Sequence, residues 1–166
     1  AFYFRKLITR VPAKTTITRF VLYTTSIQIL IDYFPFGCGF GSFATYASGL
    51  YYSHIYNQYG IENVWGISKS FYSFIADTYY PSLAQFGFVG IMLYITFWIY
   101  VFKKALIFFQ HTKQAKLMII VLLLICFFGI EGTSDSTITT HRGLFMMMMI
   151  GLMLSEMKNK IANSKS

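Results

Sequence analysis

From Leu83 to Phe102 the chain carries no charged residue. A helix of about 20 such residues is roughly 30 Å long, the thickness of a bilayer's hydrocarbon core, so a transmembrane helix is the first element expected. Leu117 to Ile130 and Gly143 to Ser155 are also uncharged but shorter. They reach spanning length only by taking in Glu131 in one case and His141 and Arg142 in the other. The composition agrees with a lipid-facing chain, because 55% of residues are hydrophobic and 20% aromatic while only 12% are charged, about half the usual charged share.

The formal net charge of +8 would point to nucleic acid in a soluble protein. Its distribution argues otherwise. Lys103, Lys104, Lys113 and Lys116 separate two apolar runs, and Lys158, Lys160 and Lys165 follow the last one, the pattern of cytoplasmic loops and tails. No nucleic-acid partner is expected. Residues 103–116 and 157–166 are then assigned to the inside, and 36–80 and 132–140 to the outside. The basic stretch Arg5, Lys6, Arg10, Lys14 and Arg19 pulls the other way if Phe20 to Phe34 spans. Its uncharged core ends at Ile31, too short for a span, and Ile17, Phe20, Val21, Thr24, Ile27 and Ile31 trace an apolar stripe at helical spacing. An in-plane helix on the outer surface, ended by Pro35, is the expectation. Ala1-Phe2-Tyr3-Phe4 followed by Arg5-Lys6 forms neither a charged n-region nor a signal core, and the sequence reads as a piece of a longer protein.

Between Pro35 and Tyr80 runs a long connection, too polar to span and too aromatic for disorder. Within it Gly37-x-Gly39-x-Gly41 is either a tight turn after Pro35 or a nest of N–H groups for a phosphate. It is neither a dinucleotide fingerprint nor a Walker loop. The tyrosines of residues 46–80 suit either a membrane-interface belt or stacking on sugar rings. Asp77, four residues before Pro81, is either a helix-capping charge or a carboxylate able to orient or deprotonate a hydroxyl. Glu131, Asp135, His141 and Arg142 crowd one outer connection, as a Glu131–Arg142 pair, a surface loop or a functional cavity. Cys38 and Cys126 suggest no disulfide. His54, His111 and His141 are too scattered for a metal set, so no metal is expected.

The order of these pieces resembles the O-antigen polymerase and ligase family. In that family an Arg precedes a helix leading to P-[LF]-x-G-x-G, and a long extracytoplasmic loop then enters a helix through L-A-x-x-G-x-x-G. Here the counterparts are Arg19, the stretch Asp32-Tyr33-Phe34-Pro35-Phe36-Gly37-Cys38-Gly39-Phe40-Gly41, Tyr51-Tyr52-Ser53, and Asp77-Thr78-Tyr79-Tyr80-Pro81-Ser82-Leu83-Ala84-Gln85-Phe86-Gly87-Phe88-Val89-Gly90. The likeness covers residues 19–102. The ligase-type His-Asn pair falls on Ala76 and Asp77, so the His is missing, which favours a polymerase.

The resemblance implies a multi-pass glycosyltransferase in the bacterial cytoplasmic membrane, active on its outer face and joining O-antigen or capsule repeat units carried on polyprenyl diphosphate. It implies no cofactor and no metal, so fixed cations must stabilise the leaving group. Arg19 is assigned to the diphosphate, Arg142 to a second cation and Asp77 to acceptor activation. Gly37, Gly39, Gly41, Tyr51, Tyr52, His54 and Tyr79 are assigned to substrate contact. The expected partners are the polyprenyl diphosphate-linked oligosaccharide, membrane lipid and other polysaccharide-assembly membrane proteins. The expected fold is all-α and polytopic, with about three transmembrane helices, an extracytoplasmic in-plane helix and a long aromatic loop. Its divisions are 1–81 outside, 82–156 in the membrane and 157–166 as a cytoplasmic tail. A transporter or flippase segment, or a non-catalytic membrane subunit, remains as the alternative.

Overall fold

The computed structural model describes residues 15–112 and 115–163, without the side chains of 15–17, 112 and 161–163. Arg5, Lys6, Arg10, Lys14, Lys113 and Lys165, and the side chain of Ile17, therefore lie outside the described residues. Within them the chain is all-α: α1 (Thr15–Asp32), α2 (Tyr46–Leu50), α3 (His54–Gln58), α4 (Tyr79–Ser82), α5 (Gly87–Thr112), α6 (Ala115–Glu131) and α7 (His141–Asn163). Short 3-10 turns occupy Leu83–Phe86 and Thr137–Thr139. Extended pairing among the described residues is limited to one isolated bridge between Ser68 and Phe71. Contacts divide the chain into two compact units, the boundary falling after Ile91 inside α5, rather than at the 81/82 junction expected.

The first unit is built on α1. Thr18, Val21, Leu22, Thr25, Ser26 and Ile29 are buried, and they recur at the three- and four-residue steps that keep side chains on one helix face. Against this face pack Phe43, Ala44, Ile55, Tyr56, Ile61, Ile67, Ile75 and Ala84. Of the expected stripe, among the described side chains, Val21 is buried, while Phe20, Ile27 and Ile31 are 61%, 58% and 71% exposed. The helix is apolar on two opposite sides, and the side bearing the small Thr18, Thr25 and Ser26 allows the following chain to approach closely.

That following chain, expected as a loop, is a packed body with helical turns of its own. Thr45 closes a capping box with Ser48 at the start of α2, and the Ser53 hydroxyl accepts from the Ile55 N–H to begin α3, each relieving donors that a helix start leaves unpaired. Tyr56 is fully buried. Its hydroxyl lies 2.7 Å from Ser48 Oγ and accepts from the Ala44 N–H at 3.0 Å, so a polar atom enters the core already paired. At the far end of α1, Tyr59 donates to Asp32 Oδ2 at 2.7 Å and Tyr33 to Gln58 Oε1 at 2.9 Å.

The second unit holds the remainder of α5 with α6 and α7 around Val101, Ala105, Phe108, Leu117, Val121, Phe128, Ile150 and Met157. The loop expected over 103–116 is helical through Thr112, and the expected tail from 157 is helix to Asn163, because neither segment holds a Pro or Gly to stop the preceding helix. Among the described residues one helical stretch, Tyr79–His111, is long and apolar enough to cross a membrane. The helix α6 stops at 17 residues, and α7 carries Arg142, Glu156, Lys158 and Lys160. Large apolar side chains face outward on all three, among them Leu93, Leu123, Ile130, Leu144 and Leu152, each more than 60% exposed.

Candidate active site

Two charged residues 58 positions apart meet in the first unit. Arg19, in the second turn of α1, donates from Nε to Asp77 Oδ2 at 2.9 Å and from Nη2 to the same oxygen at 2.5 Å. Both side chains keep access to solvent, at 40% and 28%. A second bond fixes the level of Arg19, since the neighbouring Thr18 hydroxyl donates to the Trp65 carbonyl at 2.7 Å. The expected capping alternative for Asp77 is not realised. Thr78, not Asp77, occupies the N-cap of α4, and it makes no side-chain cap bond. The Thr78 hydroxyl is buried with no partner among the described residues, leaving an unspent hydrogen-bonding group directly beside the carboxylate.

The sequence reading missed Tyr23, which lies four residues beyond Arg19 and hence on the same side of α1. Burial pushes its hydroxyl up, the nearby Tyr80 adds to this, and the Arg19 cation opposes it. Tyr23 therefore remains a neutral phenol between Arg19 and Tyr80. The i, i+4 spacing from a candidate Arg was the available signal.

The glycine turn is closed rather than open. Gly37 N–H donates to the Tyr33 carbonyl at 2.8 Å and Gly39 N–H to the Gln85 carbonyl at 3.1 Å. Gly41 N–H donates to Gln85 Oε1 at 2.6 Å. With all three donors taken, these glycines position the site rather than offer a nest. Gly37 and Gly87 both have positive φ, 79° and 64°, and meet backbone to backbone. A Cβ on either would collide with the main chain of the other. Val89 N–H to the Pro35 carbonyl, 3.3 Å, completes this clasp between the end of α1 and the start of α5.

Of the other expected contact residues, Tyr51 and Tyr52 line an open cleft of about 600 Å³. His54 is exposed at the start of α3, and Tyr79 is half-buried at the start of α4. Arg142 belongs to the second unit. It pairs with Asp135 at 2.7 Å, not with Glu131. The Thr137 hydroxyl lies 3.0 Å from Asp135 Oδ2 and 3.1 Å from Glu131 Oε1, and its single hydrogen can serve one of them at a time. Burial works to raise the Asp135 carboxyl, but Thr137, the Ser136 N–H and Arg142 outweigh it and hold it below the usual carboxylate range. Phe127, His141, Phe145 and Met146 join Arg142 and Thr137 around a hollow of about 500 Å³.

Cys38 and Cys126 are both free thiols. No group of three His, Cys, Asp or Glu among the described residues is placed to hold a metal. No protein-family model, curated protein or solved structure matches this chain.

Proposed function

We propose that this chain is the outer-face catalytic region of a membrane glycan polymerase using a polyprenyl diphosphate-linked donor. The observation that carries the reading is the Arg19–Asp77 pair. It joins the cation assigned to the diphosphate and the carboxylate assigned to the acceptor. A partly exposed ion pair contributes only about 0–1 kcal/mol to stability, so holding these two groups together across the packed body serves the fold little.

Chemically, an acceptor hydroxyl attacks the anomeric carbon of the donor sugar. The new C–O bond forms as the bond from that carbon to the carrier's diphosphate oxygen breaks, and the electron pair leaves with the diphosphate. Arg19 binds diphosphate oxygens through its planar fork and stabilises the charge that develops there. Its departure from Asp77 Oδ2 leaves that carboxylate free to take the acceptor's proton. The pair thus rests closed, and the donor's diphosphate opens it.

In this reading Tyr79–His111 crosses the membrane. Ala115–Glu131, about 26 Å long at 1.5 Å per residue, and His141–Asn163 cross beside it. The outward-facing leucines and isoleucines of these helices then meet acyl chains. Lys103 and Lys104 lie at the inner end of α5, and the Lys160–Glu156 pair at the inner end of α7.

The test is complementation of a host lacking its polymerase, read as a glycan ladder on a gel. Restored ladder from the wild-type protein and accumulated single repeat units with Arg19→Ala are expected. Transport of lipid-linked glycan without bond formation would assign the chain to a flippase instead.

A further inference from the structure

An open cleft in the first unit has polar groups that the fold does not use. The turn between α2 and α3 supplies Tyr51 and Tyr52, α3 supplies Asn57, and the chain beyond supplies Glu62, Asn63 and Lys69. Among the described residues the side chains of Asn57, Glu62, Asn63 and Lys69 make no hydrogen bond or ion pair with protein groups. The Tyr52 hydroxyl is buried without a partner, although its ring packs on Tyr56 at 5.4 Å. Buried polar atoms in folded proteins are nearly always paired, so an orphan on a cleft wall marks a place that a ligand fills. Tyr51, by contrast, is 84% exposed and offers an open ring face.

We propose that this cleft binds the acceptor saccharide, the sugar ring stacking on Tyr51 and its hydroxyls bonding to Asn57, Glu62, Asn63, Lys69 and the Tyr52 hydroxyl. The inference rests on the polymerase reading and adds the place of its second substrate.

Three features favour a saccharide. Its volume of about 600 Å³ falls within the range of small-ligand sites, roughly 300–1,000 Å³. The lining mixes donors and acceptors around one aromatic face, which matches a molecule whose hydroxyls both give and accept while its C–H faces are apolar. Glu62 and Lys69 give the lining one carboxylate and one ammonium, so no net positive charge favours a diphosphate over a neutral sugar there. Burial, with Glu62 adding to it, pushes the Tyr52 phenol up, keeping its proton available to donate.

The chain that forms the cleft rim is also bonded to the segments that carry Arg19 and Asp77. Trp65, between Asn63 and Lys69 in sequence, receives the Thr18 hydroxyl next to Arg19. On the other side, Phe74 N–H bonds to the Gly66 carbonyl at 3.1 Å and Asp77 N–H to the Phe74 carbonyl at 3.4 Å. The Lys69 rim is therefore tied to both members of the catalytic pair.

The test uses detergent-purified full-length protein and the oligosaccharide freed by mild acid from the host's lipid-linked repeat unit, titrated by calorimetry. Wild type should bind it. Glu62→Gln, Asn63→Ala and Lys69→Ala should each weaken binding roughly three- to tenfold, the loss of one or two hydrogen bonds. Lys158→Ala, in the second unit, should bind as wild type does. No binding by wild type, or equal affinity in all three cleft variants, overturns the proposal. Oligosaccharide binding that depends on the cleft, in a protein that restores no ladder, keeps the cleft and removes the polymerase reading.

Discussion

At the residue scale the pairing of Arg19 with Asp77 turns two separate sequence assignments into one testable unit. Lys cannot reproduce a guanidinium that donates from Nε and Nη2 to one oxygen while keeping Nη1 free. Arg19→Lys is therefore expected to accumulate single repeat units almost as Arg19→Ala does, with unchanged membrane insertion; a near-normal ladder from Arg19→Lys would return the residue to lipid snorkelling. Asp77→Asn keeps the shape and an acceptor oxygen for Arg19 but loses the base. Polymer formation should fall by a factor of roughly 10² to 10⁴, with protein level close to wild type on a blot. At Asp135 the argument is one of pH. A carboxyl held below its usual range stabilises the fold above that range, and this contribution is lost as pH falls through the lowered value. Thermal stability should thus fall below about pH 4, and Asp135→Asn should flatten that part of the profile.

At the scale of elements, the glycine clasp joins α1 to α5. Gly37→Ala forces a Cβ into the Gly87 backbone at positive φ, and neither main chain can yield as a side-chain tip would. A loss of about 1–3 kcal/mol is expected, read as a lowered unfolding temperature. Gly39→Ala meets open space and should cost less, since only its φ of 102° is strained. The turn was legible in the sequence because glycine spacing reports backbone demands. What fills the turn was not. Gln85, which receives two of the three N–H groups, carries no signal that separates it from any other polar residue ahead of a helix. The buried face of α1 was not legible either, because Thr18, Thr25 and Ser26 read as polar while packing as small residues. The all-α class was legible from the apolar runs, but the long helix starts at Gly87, after a 3-10 turn over Leu83–Phe86, rather than at Leu83. The helical turns of residues 46–58 were not legible, since each is too short to establish a period.

At the scale of the molecule, in the proposed reading the lysine clusters mark which side is which. With Cys38 and Cys126 replaced, a single Cys at position 113 should react with a membrane-impermeant reagent only after the cells are opened. One at position 135 should react in intact cells. Reactivity of position 113 from outside would invert the arrangement and place Arg19 away from the donor.

In the proposed membrane reading, the two apolar sides of α1 also set its depth. At about 100° per residue, the buried residues Thr18, Leu22, Thr25 and Ile29 point nearly opposite to Phe20, Ile27 and Ile31, and Arg19 and Tyr23 fall on the flank between. A helix lying flat with its Phe20 side bedded in acyl chains therefore carries its guanidinium at the waterline, level with lipid headgroups. Under the proposed function the carrier's diphosphate would lie at that same height, so donor and cation would meet by sliding sideways in the plane of the bilayer, and neither would have to leave its layer.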